Sequence, residues 1–77
     1  MNNSPIFTTE DKQEICNLLA QTLRATRNHH DLVELKYEYR GPDNELVTII
    51  WEHGKQQVNV SMDSGTAMIR DIMRAID

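Results

Sequence analysis

The spacing of apolar residues along the chain changes period twice. Ile15, Leu18, Leu19, Thr22, Leu23 and Thr26 recur at helical intervals, and Cys16 and Ala20 widen the stripe. Thr8 precedes Asp11 by three positions, a spacing like that of a capping box. Acids fall at the front of this stretch and arginines at its end, which suits a helix dipole. The pattern predicts a helix over residues 9–27. After Arg27-Asn28-His29-His30-Asp31 the period becomes two: Val33, Leu35, Tyr37 and Tyr39 alternate with Glu34, Lys36, Glu38 and Arg40, as in a strand with one wet face. Gly41-Pro42-Asp43-Asn44-Glu45 carries turn chemistry. Residues 46–52 read as a second strand. His53-Gly54-Lys55 forms a tight connection, and Val58, Val60 and Met62 alternate with Gln57, Asn59 and Ser61 in a third strand. Asp63 or Ser64 can then cap a final helix whose apolar stripe is Met68, Ile69, Ile72, Met73 and Ile76.

The expected fold class is therefore α+β in the order α-β-β-β-α: a three-stranded antiparallel meander with two helices packed on one face. It forms a single small domain, residues 1–77, with residues 1–7 as a polar lead. Register follows from the middle strand. Val47, Ile49 and Trp51 make a fully apolar set, whereas Leu46, Thr48 and Ile50 make a mixed one. A one-residue slip would exchange the two sets. Each large apolar side chain contributes roughly 1.5–3 kcal/mol when buried, so the first set belongs beneath the helices with Val33, Leu35, Tyr37, Val58 and Val60. The methionines Met62, Met68 and Met73 fall on core positions of the same pattern. The opposite face then carries Glu34, Lys36 and Glu38, next Thr48 and Ile50, and finally Gln57, Asn59 and Ser61.

Over residues 9–76 this order of elements resembles the double-stranded RNA-binding domain. Gly41-Pro42 stands between the first two strands, where that family carries a Gly-Pro loop that reaches the RNA minor groove. The resemblance implies an RNA contact made by the first helix and this loop. The family places a histidine after its Gly-Pro and clustered lysines at the start of its second helix. Here Asp43, Asn44 and Glu45 follow, and Asp63-Ser64-Gly65-Thr66-Ala67 holds no lysine. The likeness is one of topology, and the cations that dominate phosphate binding are missing from it.

Charge points the same way. The net charge is −4, spread along the chain with no basic stripe, which disfavours nucleic acid as a partner. Cys16 is the single cysteine, so no internal disulfide can form, and this usage suits a reducing cytoplasm. No apolar run reaches the ~18 residues of a membrane span, and the opening MNNSPIFTTEDK does not read as a signal peptide. A cytoplasmic, acidic protein with no membrane contact is expected.

Reactive groups do not assemble into a motif. His29, His30 and His53 lack metal-ligand spacing, and Cys16 has no basic sequence neighbour to activate it. Neither Ser61 nor Ser64 sits in a nucleophile elbow, and three glycines make no phosphate loop. No catalytic residue, metal, cofactor or small-molecule substrate is assigned. The sequence points to a non-enzymatic interaction or regulatory protein that contacts another protein or a second copy of itself. The candidate contact set is Glu34, Lys36, Thr48, Ile50 and Asn59 on the open sheet face, with Asp43, Asn44 and Glu45 in the adjoining acidic turn. Two alternatives are a double-stranded RNA-binding module and an acidic inhibitor of a nucleic-acid-binding protein.

Overall fold

Asp11 starts the first helix: its carboxylate accepts the Glu14 backbone N–H at 3.1 Å and satisfies one of the donors that a helix start leaves unpaired. The computed structural model describes residues 11–77. Five elements follow in chain order: α1 (Lys12–Arg24), β1 (Leu32–Gly41), β2 (Asn44–Trp51), β3 (Gly54–Asn59) and α2 (Gly65–Ile76). The three strands form one antiparallel sheet in the order β1-β2-β3, giving the expected α-β-β-β-α arrangement. Helix α1 is shorter than the 9–27 stretch expected from sequence. Its cap is Asp11, while Thr8 and the polar lead lie outside the described residues. At the other end Ala25 closes α1, and the Thr26 hydroxyl donates to the Leu23 carbonyl at 2.6 Å. Ser64 caps α2 by accepting the Ala67 N–H at 3.1 Å.

The core contains Cys16, Ala20 and Leu23 of α1, Leu32 and Leu35 of β1, Val47 and Ile49 of β2, Val60, and Met68 and Ile72 of α2. Tyr37, Trp51 and Val58 are half-buried against it on the same side of the sheet. The middle strand therefore has the expected register, with Trp51 inward and its indole N–H donating to Gln56 Oε1 at 3.2 Å. The α1 stripe is rotated from the expected one. Cys16, Ala20 and Leu23 are at its centre, whereas Leu18 and Thr22 are exposed.

An irregularity in β1 relocates Val33, which simple alternation places inside. Pairing shifts between Leu32 and Glu34, so Leu32 goes into the core and Val33 is 48% exposed. A second shift lies between Tyr39 and Gly41, beside the hairpin turn, and Tyr39 is 61% exposed. That turn consists of Pro42 and Asp43 alone, because Asn44 and Glu45 already belong to β2. Gly41 and Gly54 both have negative φ, so neither hairpin draws on glycine's left-handed range. Pro42 supplies a preset φ, and the adjacent irregularity absorbs the strand divergence that such a turn produces.

Glu45 is the largest departure from the sequence reading. Expected in an exposed acidic turn, it is only 6% exposed, and its side chain is engaged within the fold. Glu45 Oε1 accepts from Lys12 Nζ at 2.7 Å and from the Tyr37 hydroxyl at 2.6 Å, while Oε2 accepts the Met62 N–H at 3.0 Å. Its main chain is equally occupied. Val60 N–H donates to the Glu45 carbonyl at 2.9 Å, and the Glu45 N–H goes to Ser61 Oγ at 2.9 Å. One residue thus ties α1, β1 and β2 to the connection that leads into α2. The Lys12 bond, then the Tyr37 and Met62 bonds, hold the Glu45 carboxyl down at about 2. Burial, together with this acceptor, pushes the Tyr37 phenol up to about 12.

Met62 is bent to serve that contact. It was expected to face the core at the end of a third strand, yet β3 stops at Asn59 and Met62 lies in the following turn, 78% exposed with φ 62°. It is the only non-glycine residue at positive φ among the described residues. This conformation costs an L-residue about 1–2 kcal/mol, and the anchored N–H keeps it there. Met62→Gly removes little packing and should stabilise the protein by about 0.5–1 kcal/mol, after allowing for the extra freedom of unfolded glycine. The measurement is the urea midpoint, and a drop in stability would contradict the strain assignment.

Glu45→Gln should cost about 2–4 kcal/mol at neutral pH by leaving Lys12 unpaired in a poorly hydrated site. Folding lowers the Glu45 pKa, so its contribution is complete above the ordinary value of 4.5 and lost as pH falls through about 2. Asp63 acts in the opposite sense, because the facing Asp71 carboxyl and then burial raise its pKa. Comparing the wild type with Glu45→Gln in urea from pH 7 to pH 2 isolates the Glu45 term. The gap between the two should narrow below about pH 4.5, by on the order of 2–3 kcal/mol in total. A constant gap would remove Glu45 from the acid response.

Candidate interaction surface

The pleat presents one side of each strand to the helices and the other outward. On the outward face the register builds three cross-strand rows: Glu34–Ile50–Lys55, Lys36–Thr48–Gln57 and Glu38–Leu46–Asn59. Glu34, Lys36, Glu38, Lys55, Gln57 and Asn59 are exposed. Leu46, Thr48 and Ile50 on the central strand are half-buried. Most of the sequence-derived contact set is thereby brought together: Glu34, Lys36, Thr48, Ile50 and Asn59 share this face. Asp43 and Asn44 are exposed at the β1–β2 hairpin, at its edge. Glu45 does not join them, for the reasons given above.

The charge on this face is mixed. Glu34 and Glu38 alternate with Lys36, Arg40 stands 2.9 Å from Glu38, and Lys55 sits on β3. Hydrogen bonding to Arg40 lowers the Glu38 carboxyl and raises the Arg40 guanidinium. Gln57 Nε2 donates to Thr48 Oγ1 at 3.3 Å across the strands. The acidity that sets the chain's net charge is therefore not concentrated here.

The two edges of the sheet differ. Along β1 the outward main-chain groups belong to Val33, Leu35, Tyr37 and Tyr39, and α1 bonds one group of each of the first three. Gln13 Nε2 donates to the Leu35 carbonyl at 3.1 Å, Gln13 Oε1 accepts the Tyr37 N–H at 2.8 Å, and Arg24 donates to the Val33 carbonyl at 2.8 Å. One glutamine amide thus stands in for a neighbouring strand. A groove of about 340 Å³ remains there, lined by Asn17, Gln21, Arg24 and Glu34 among others. At β3 the residues from Gly54 to Gln57 and Asn59 are exposed. A shallow hollow of about 460 Å³ straddles this edge, between Thr48, Lys55, Gln56 and Gln57. Sequence reasoning did not find this asymmetry. Its signal is a glutamine in the first turn of α1, and a side chain of that kind is read by default as solvated.

The remaining reactive groups are taken up by the fold. Cys16 is fully buried, and burial pushes its thiol up to about 11. The histidine-bearing loops do meet at one end of the sheet. Glu52 N–H donates to the Asp31 carbonyl at 3.1 Å, and the His29 ring lies 6.2 Å from Trp51. His30 Nδ1 is 2.9 Å from the Arg27 carbonyl. No group of three or more His, Cys, Asp or Glu side chains able to hold a metal occurs among the described residues. No helix among them is long and apolar enough to cross a membrane. Of the features tied to the RNA-binding resemblance, Pro42 lies in a two-residue turn and α2 opens under Ser64 with its first arginine at Arg70.

Compared with models of protein families, with characterised proteins and with solved structures, the chain shows no match.

Because Cys16 lies beneath α1, thiol reagents should reach it only through opening of the core. Its labelling in the native protein should be at least about a thousandfold slower than in urea-unfolded chain. Labelling at the unfolded rate would mean that α1 is not held against the sheet as described.

Proposed function

We propose that the chain is a small, non-enzymatic interaction protein that binds another protein through the open face of its sheet. The observation that supports this reading is the three-row surface itself: no described element covers it, and a half-buried line of Leu46, Thr48 and Ile50 is bordered by polar and charged residues. Protein-binding patches share this layout, with a less polar centre that sheds water and a charged rim that sets orientation. The alternation of Glu34, Lys36 and Glu38 calls for a partner whose own charges alternate. A polyanion would meet two carboxylates along β1, so this face suits protein better than nucleic acid. It also suits an acidic decoy poorly, since bases and acids are interspersed across it.

The test combines affinity capture from native lysate with site-specific photo-cross-linking at position 50. Partners held by the wild type should fall about tenfold or more with folded Ile50→Lys, which places a charge in the patch centre. They should persist with Arg74→Glu on the exposed side of α2, and cross-links from position 50 should reach those same partners. Retention by Ile50→Lys would overturn the assignment. Saturable, salt-sensitive binding of duplex RNA by the wild type would favour the RNA-binding alternative instead.

A further inference from the structure

Main-chain groups in an antiparallel pair alternate between facing the neighbour and facing away. The Val60 N–H is directed to Glu45 on β2. Counting back along β3, Val58, Gln56 and Gly54 also face β2, while Asn59, Gln57 and Lys55 present their N–H and C=O groups outward. The same count on β1 gives Val33, Leu35, Tyr37 and Tyr39 as outward, and α1 side chains bond three of their groups: the Val33 and Leu35 carbonyls and the Tyr37 N–H. No described residue makes a comparable bond to the outward groups of β3. A row of such groups is a template for one more strand.

We infer that β3 is a self-pairing edge, which joins two copies of this chain antiparallel about a two-fold axis through Gln57 and makes one six-stranded sheet. This rests on the reading of the chain as an interaction protein and names a second copy as one of its partners. A second copy fits this edge because its hydrogen-bonding groups match and no like charges need oppose one another. With Gln57 on the axis, Lys55 of each copy faces Asn59 of the other, and all three outward residues pair with outward residues. Lys55, the only charged residue in β3, therefore never meets its own image. A register two residues shorter pairs Lys55 with Gln57 and leaves Asn59 unmatched, and a shift of two more sets lysine against lysine. A two-fold contact needs a surface that matches itself, and this register alone uses the whole edge without opposing like charges. The hollow at Thr48, Lys55, Gln56 and Gln57 leaves room for the incoming strand's side chains. The open faces of the two copies would then join into one broad surface.

Single cysteines introduced into the 77-residue chain test the register. Gln57→Cys places two thiols on the axis, where Cα atoms of a directly paired position lie about 5.5 Å apart, within disulfide range. Lys55→Cys places them about 14 Å apart, beyond it. Under mild oxidation Gln57→Cys should form a covalent dimer, and Lys55→Cys should do so only when mixed with Asn59→Cys. Light scattering should show the wild type as a dimer that dissociates on dilution. Gln57→Pro, which removes an outward N–H and none directed to β2, should weaken association about tenfold or more while circular dichroism stays unchanged. A monomer at every concentration, or equal cross-linking of Gln57→Cys and Lys55→Cys alone, would overturn the self-pairing edge. Loss of other partners in Ile50→Lys, seen together with such a monomer, would leave the proposed function standing and remove only this inference.

Discussion

A buried carboxylate organises this small domain. Desolvating Glu45 is costly, and it is tolerated because three donors from three different segments converge on it: the Lys12 ammonium, the Tyr37 hydroxyl and the Met62 N–H. Lys12 also lies 5.7 Å from the centre of the Tyr37 ring, so its stem and charge both face this site. Apolar packing alone specifies position loosely, since neighbouring registers bury similar areas. A charge that must be met by particular donors does not allow such sliding. The start of α1, the hairpin end of the sheet and the bend into α2 are thereby held in one arrangement, and the left-handed backbone at Met62 follows from it.

From that arrangement comes the division of the sheet. The helices take one face, and α1 also reaches over the β1 edge through Gln13 and Arg24. What the described residues leave uncovered is contiguous: the outward face and the β3 border. A chain of this length cannot cover a whole three-stranded sheet with two short helices. The exposed part is consequently a product of size, and its composition decides what it can meet. Mixed charge around Leu46, Thr48 and Ile50 suits protein surfaces, and the β3 edge, whose single charge is Lys55, suits a strand.

The order of elements was legible in the sequence because period, turn residues and caps agreed. Val47, Ile49 and Trp51 set the register of the middle strand, and the fold keeps it. Legibility failed where one contact overrode local pattern. Alternation placed Val33 inward, but the pairing shift beside it substitutes Leu32. Alternation also extended β3 to Met62, but the strand ends earlier because the chain must turn to reach Glu45. Glu45 itself looked like one more acid in an exposed turn. Nothing within a few residues reveals the donors that bury it, since Lys12 is 33 positions away. The open face was readable for the same reason as the fold, as the complement of the apolar set. The difference between the two edges was not, because Gln13 bonds β1 from a separate element.

The Gln13 amide also has a consequence for growth. A sheet bounded by two bare strands can accept neighbours on either side and so has no natural end point. Here the β1 border is already bonded at Val33, Leu35 and Tyr37 by the molecule's own helix, while no described residue bonds the outward groups of β3. If the β3 border alone recruits, addition of a single neighbour exhausts it and the product is finite. The clamp on β1 would therefore work as a terminator that confines association to closed pairs and keeps an edge-bearing sheet from propagating into filaments.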